Sequence, residues 1–229
     1  MRRNAVAVMV GVLLLVAALA TASAVRDIAV ILKSAGKVEV GSTSSQGWRP
    51  GVRGTRLNSG NRLRTGGNSM ATLIFTDDKS LLKIRSDTEI SLQGERQAGT
   101  VSKRLMVDVG ELWAKITKGG GGYRLETPSG VAAVKGTEFY LLVSEDGAAT
   151  AIVLDGIVEL LNSLGSVLVG SGQTGTMQRG SAPTSSDSKA IPNWGGENVG
   201  VTGEEGMLRI EFQDESGAKR YLLIRYEQR

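Results

Sequence analysis

Cysteine and histidine are both absent from the 229 residues. Without them the chain has no Ser-His-Asp or Cys-His nucleophile system, no His- or Cys-ligated zinc, no Fe–S cluster and no thiol redox centre. Proline is scarce, at 4 residues, and aromatics make up 4%, whereas glycine reaches 31. Few prolines, many glycines and alternating apolar residues point to an all-β chain with tight turns. Hydrophobic residues, at 41%, suffice for a core without disulfide staples, so the missing cysteine fits either redox compartment.

Charge of one sign is also lacking. The 27 basic and 23 acidic residues leave +4. Arg2 and Arg3 open the chain, an uncharged run follows from Asn4 to Val25, and Ala22-Ser23-Ala24 closes it ahead of Arg26. A basic start, an apolar core and Ala22 and Ala24 spaced as signal peptidase requires read as a secretory signal over residues 1–24. The alternative is an uncleaved anchor over residues 4–25, long enough to span a bilayer. Either reading puts the rest outside the cytoplasm, periplasmic or secreted, or held at the inner membrane. Cleavage removes two basic residues and no acid, leaving +2. The pI near 9.4 is therefore no nucleic-acid signature.

From Asp27 to Met177 apolar residues recur with period two, or in short runs, broken by Gly, Asn and Asp. Lys37–Val40, Met70–Phe75, Thr88–Leu92, Leu105–Val109, Glu111–Ile116 and Phe139–Val143 are such segments. No segment after residue 25 holds a 3.6 period, so the expectation is a β-domain over 27–178 with almost no helix. Faint internal similarity pairs Arg62-Leu63-x-Thr65 with Arg124-Leu125-x-Thr127, and Ala71 with Ala133. A Gly-x-apolar-x-apolar pattern starts at Gly36, Gly110 and Gly156. Residues 179–205 are small and polar and read as a linker. Over 206–229, Leu208, Ile210 and Phe212, then Leu222, Ile224 and Tyr226, predict a C-terminal β-hairpin.

Glu126-Thr-Pro-Ser-Gly-Val-Ala-Ala-Val-Lys-Gly-Thr-Glu-Phe139 resembles the signature of the FecR domain, roughly T-P-x-A-x-x-x-V-(R/K)-G-T-x-F. Three flanking pieces agree in order: Trp48-Arg-Pro50 with Leu57 to Gly66, Ser69 to Phe75 with Asp78 and Ser80, and Leu154-Asp-Gly156-Ile-Val158. The resemblance covers about residues 33–177 and implies a jelly-roll-like β-sandwich. Where the family has Gly-Asp the chain has Gly60-Asn61, and where it has Asp-Gly-Ser the chain has Asp78-Lys79-Ser80. Lys79 argues for a turn without positive φ, or a longer connection. FecR-type transducers carry a cytoplasmic helical domain that contacts a sigma factor. The few residues ahead of the apolar run leave no room for one, so that role is not carried over. Within the motif, Thr127, Pro128, Gly136, Thr137, Phe139 and Gly156 read as a fold-defining corner: extended path, tight turn and core anchor.

Candidate chemistry is sparse. Trp48 with Arg49, Arg53, Arg56, Arg62 and Arg64 forms a stretch without acids, either an anionic docking patch or a set of side chains scattered by strand alternation. Gly119–Gly122 lacks the rest of a phosphate loop and reads as a flexible tip. The acid pairs Asp77/Asp78, Glu145/Asp146, Glu204/Glu205 and Asp214/Glu215 sit in expected turns without calcium-loop spacing. Trp48, Trp113 and Trp194 are the available sugar-stacking platforms. The expectation is therefore no enzyme, no metal and no cofactor. Partners would be another envelope protein or an anionic or glycan envelope polymer, with no nucleic acid, and membrane contact only if the first segment is retained. Function divides between a non-catalytic binding module in envelope assembly or signalling, a sensor acting through a separate membrane partner, and a glycan-binding protein.

Overall fold

The computed structural model describes residues 26–97, 100–189, 191–192, 207–213 and 219–225. The signal segment with Ala22 and Ala24 lies outside them, as does most of the stretch 190–206. The described residues are all-β, without a helix.

Two compact units divide at residues 189 and 190. The first opens with β1 (Ala29–Ala35), β2 (Val38–Ser42), β3 (Ser45–Pro50), β4 (Arg56–Leu57), β5 (Asn61–Thr65), β6 (Met70–Phe75), β7 (Leu81–Ile84) and β8 (Glu89–Gln97). A long β9 (Thr100–Lys115) follows. Then come β10 (Tyr123–Thr127), β11 (Gly130–Val134), β12 (Glu138–Val143), β13 (Ala149–Asp155), β14 (Ile157–Asn162), β15 (Gly165–Gly170), β16 (Gln173–Met177) and β17 (Thr184–Asp187).

Pairing sorts these strands into two sheets. One runs β4-β1-β6-β7-β9-β12-β13-β16-β17. The other runs β3-β2-β5-β8-β9-β10-β11-β14-β15. β9 belongs to both: its first part pairs β8 and β10, and from Gly110 onward it pairs β7 and β12. The sequence reads this segment as two strands, 105–109 and 111–116. It is one strand that changes sheet at Gly110. The β9–β10 pair is parallel and sets Tyr123 opposite Lys103.

Alternation decides which residues go inside. β12 buries Phe139, Leu141 and Val143, and β9 buries Val101, Lys103, Leu105 and Val107. Residues of both sheets form one apolar cluster, the core of the sandwich. Each large apolar side chain so buried contributes about 1.5–3 kcal/mol. A lysine among the inward positions of β9 is the exception that shapes one end of the domain.

The apparent 62-residue repeat is not a symmetry of the fold. β5 and β10 share a sheet, but Ala71 lies on β6 in one sheet and Ala133 on β11 in the other. Gly36, Gly110 and Gly156 do have one property in common, a positive φ where the chain crosses between sheets. The segment read as a linker begins differently, since Thr184–Asp187 adds β17 to the edge of β16. In the second unit, β18 (Met207–Gln213) and β19 (Lys219–Arg225) pair antiparallel, with Leu208 opposite Ile224 and Ile210 opposite Leu222. Tyr226 lies outside the described residues.

Candidate functional site

The structure divides the basic stretch. Trp48 on β3 and Arg62 on β5 both lie opposite Gly41 of the intervening β2. A Cβ on Gly41 would stand 3.1 Å from Trp48 Cε3, so the missing side chain makes room for the indole. The guanidinium carbons of Arg62 and Arg64 lie 5.0 and 4.1 Å from the ring centroid, within cation–π range. Arg62 pairs with Glu89. Arg64 donates to Glu39 Oε2 from Nε at 2.8 Å, and Lys37 stands 3.6 Å from the same oxygen. The hydrogen bond from Arg64 holds the Glu39 carboxyl below the usual range. This face is therefore close to charge balance. Arg56 is elsewhere, on the edge of the other sheet, 3.5 Å from Asp27. Arg49 and Arg53 are exposed, on the edge strand β3 and in the turn after it. Trp113 is half-buried between Lys83 and Tyr140 in register, and Trp194 lies outside the described residues.

The corner motif is built from hydrogen bonds and close backbone packing. Thr127 Oγ1 donates to Gly130 O at 3.0 Å across the turn that carries the exposed Pro128. Gly136 has φ 72°, and Thr137 Oγ1 donates to Ile157 O at 2.9 Å, tying the β11–β12 crossing to the start of β14. Phe139 is fully buried. The backbone also closes up at Gly156, with φ 85°, where a Cβ would stand 2.8 Å from Gly136 O. At Gly136 a Cβ would meet the movable Lys118 side chain instead.

A second cluster, which the sequence reading missed, occupies one end of the sandwich. Lys103 Nζ contacts Asp77 and lies 2.8 Å from Asp78 Oδ2, with none of its side chain exposed. Tyr123 donates its hydroxyl to both Asp78 oxygens at 3.0 Å, and Ser80 N donates to Asp78 Oδ1 at 3.0 Å. The Tyr123 and Phe75 rings meet edge to face at 5.1 Å, with Lys103 Nζ 4.9 and 5.8 Å from their centroids. Burial pushes the Asp78 carboxyl up, but the hydrogen bonds from Lys103 and Ser80 outweigh it and leave it below its ordinary value. Burial, with Asp78 beside it, pushes the Tyr123 phenol far up, so it stays protonated as a donor. The signal in the sequence was Lys103 itself: in Val101-Ser-Lys-Arg-Leu-Met-Val107 it takes an inward slot of an alternating strand.

Two expectations are corrected here. Lys79 does adopt positive φ, 61°, and its Nζ donates to Thr76 O at 2.6 Å. The short β6–β7 connection requires the same backbone that glycine would supply, and a tail-to-backbone bond offsets part of the strain. Gly119–Gly122 is no loose tip. A Cβ on Gly121 would stand 2.4 Å from Val101 O, and one on Gly120 would stand 2.5 Å from Asp78 Oδ2. The loop lies flat over β9 and the acidic turn, with Gly122 O accepting from Lys103 N at 3.1 Å.

An open groove of about 700 Å³ crosses β8, β9, β10, β11 and β14, lined among others by Glu95, Arg104, Arg124, Lys135, Ile157 and Glu159. Its charges are of both signs, and Arg104 is held by Glu126 at 3.1 Å. Among the described residues no group of three acids stands close enough to hold a metal ion, and no helix is long and apolar enough to cross a membrane.

Residues 61–159 match the family model described as FecR protein. The match runs from β5 to β14 and takes in Arg62, Arg64, the Lys103 cluster and the corner motif. No curated protein matches the chain. Two crystal structures of a candidate anti-sigma factor from Parabacteroides distasonis are similar, with TM-scores of 0.48 and 0.47 and identities of 11% and 10%. In each case the match covers 55% of this chain and 59% of the other, so the chain spans about three fifths of those proteins.

Proposed function

We propose that this chain, which carries a FecR domain over residues 61–159, is a non-catalytic extracytoplasmic interaction module in a regulatory pathway of the cell envelope. The family match is the observation that carries the reading, since a FecR domain supports a regulatory signalling role. Two further features agree with it. The order of Arg2, Arg3, an apolar run and Ala22-Ser23-Ala24 suits export. On the outer face the carboxylates are committed to cations, Glu39 to Arg64 and Glu89 to Arg62. Acids held in ion pairs serve structure better than proton transfer. Trp48, boxed by Gly41, Arg62 and Arg64, is a poor sugar-stacking platform, which favours a protein partner over a glycan.

Localisation and partner are tested together by expressing the full chain with a C-terminal tag in a Gram-negative host. The expectation is protection from added protease in whole cells, digestion in spheroplasts, and crosslinking to an envelope protein. A chain that stays protected in spheroplasts and crosslinks to nothing in the envelope would overturn the reading.

A further inference from the structure

Lys103 occupies an inward position of β9 with its side chain wholly out of water. Its Nζ contacts Asp77 Oδ2 and lies 2.8 Å from Asp78 Oδ2, with the Tyr123 and Phe75 rings beside it. The two acids are placed differently. Asp78 is 7% exposed and is gripped by the Tyr123 hydroxyl and Ser80 N as well as by Lys103. The Asp77 side chain is 31% exposed and reaches Lys103 from the turn after β6. An ammonium and a carboxylate so far from water carry a large desolvation penalty. Passing a proton from one to the other removes both charges and leaves a neutral amine beside Asp77.

From these contacts we propose that Lys103 and Asp77 condense into an intramolecular amide, an isopeptide bond joining β9 to the β6–β7 turn. The Asp78 carboxylate accepts a proton from the Lys103 ammonium along their 2.8 Å contact. The neutral amine attacks Asp77 Cγ, forming the N–Cγ bond. The Cγ–Oδ bond breaks, and the departing oxygen takes the proton held by Asp78 and a second one from the attacking nitrogen. It leaves as water, and Asp78 returns to a carboxylate. Ammonium and carboxylate become amide and water, so no oxidant, reductant or further reactant is needed. The exposed side of Asp77 gives the water its exit. The bond would staple segments 26 residues apart in a chain with no cysteine for a disulfide.

The test is mass spectrometry of tryptic peptides from the purified full chain. The expectation is peptide 65–79 joined to peptide 97–104, one water lighter than their sum, with no cleavage after Lys103. Asp77→Ala should separate the two peptides, and Asp78→Asn, which keeps shape but removes the proton acceptor, should abolish or strongly reduce the joined species. Wild-type protein that yields peptide 65–79 alone, together with cleavage after Lys103, overturns the proposal without any variant. A joined species in Asp77→Ala would overturn the assignment of the electrophile, and undiminished joining in Asp78→Asn would overturn the part given to Asp78.

Discussion

The two polar clusters of this domain are made of similar parts. On the outer face, Trp48 sits with Arg62, Arg64, Glu39 and Glu89; at the end of the sandwich, Phe75 and Tyr123 sit with Lys103, Asp77 and Asp78. Each combines cations, carboxylates and aromatic rings, yet their surroundings differ. The Arg62 and Arg64 side chains are 35% and 39% exposed, whereas that of Lys103 is 0% exposed. On the outer face a group that loses its partner is rehydrated. In the buried cluster it is left uncompensated in an apolar end of the core. Similar chemistry therefore has a small energetic role in one place and a large one in the other.

Removing the cation of each cluster measures the difference. In the Asp77→Ala background, where Lys103 stays an ammonium, adding Lys103→Met leaves Asp78 buried without a cation, and its expected cost is about 3–5 kcal/mol in chemical denaturation. A loss under about 1 kcal/mol would mean that the two clusters are equivalent and that burial does not decide between them.

Acid titration sharpens the comparison, and the Asp77→Ala background keeps the Lys103–Asp78 contact an ion pair. The folded pKa of Asp78 is lowered. Its contribution is then fully present above the unfolded carboxylate value, about 3.9, and is lost as pH falls through the lower folded value. Stability in this background should drop on acidification below about pH 4, and adding Asp78→Asn should flatten that part of the curve. Denaturant midpoints measured across this range check it, and an unchanged acid limb would show that the pair is not what acid breaks.

Lys79 links the buried cluster to backbone strain. Its φ of 61° is a conformation that glycine adopts freely, and the turn it forms delivers Asp77 and Asp78 to Lys103. Gly also enlarges the unfolded ensemble, which works against the gain. With a left-handed penalty of about 1–2 kcal/mol for a side chain, Lys79→Gly should still stabilise by a few tenths up to about 1 kcal/mol. A destabilised variant would show that the Lys79 Nζ bond to Thr76 O outweighs the strain.

Much of this fold was legible because alternation is a strong signal on half-buried strands. The inward residues Phe139, Leu141 and Val143 could be named from period two alone. The corner was legible through the Gly136, Thr137 and Phe139 spacing, although the approach of Gly156 to Gly136 was not, because only the fold brings residues 136 and 156 together. β9 was read as two strands because a glycine inside a strand looks like a turn, when here it marks a change of sheet. The basic stretch was legible in composition but not in grouping. Glu39 and Glu89, the acids that neutralise Arg64 and Arg62, come from neighbouring strands β2 and β8. The Lys103 cluster was hidden for the same reason: its acids lie 25 and 26 residues before the lysine, and its Tyr123 comes from a parallel pairing that the sequence does not announce.

The smallest expected effect belongs to the outer face. Arg62 reaches Glu89 and lies over Trp48 at 5.0 Å, but both members of the ion pair keep about a third of their side-chain surface in water. The pair gains little over its hydrated alternatives, and ordering two long side chains costs entropy. Arg62→Gln retains much of the aliphatic stem that packs beside the indole and removes the charge. Its expected cost is about 0.2–1 kcal/mol, shrinking further as salt screens the wild-type pair. Denaturant melts of both proteins at low and high ionic strength make the measurement. A loss comparable to that of Lys103→Met, and insensitive to salt, would show that Trp48, Arg62 and Glu89 form a water-excluded unit, and the contrast between the two clusters would then fail.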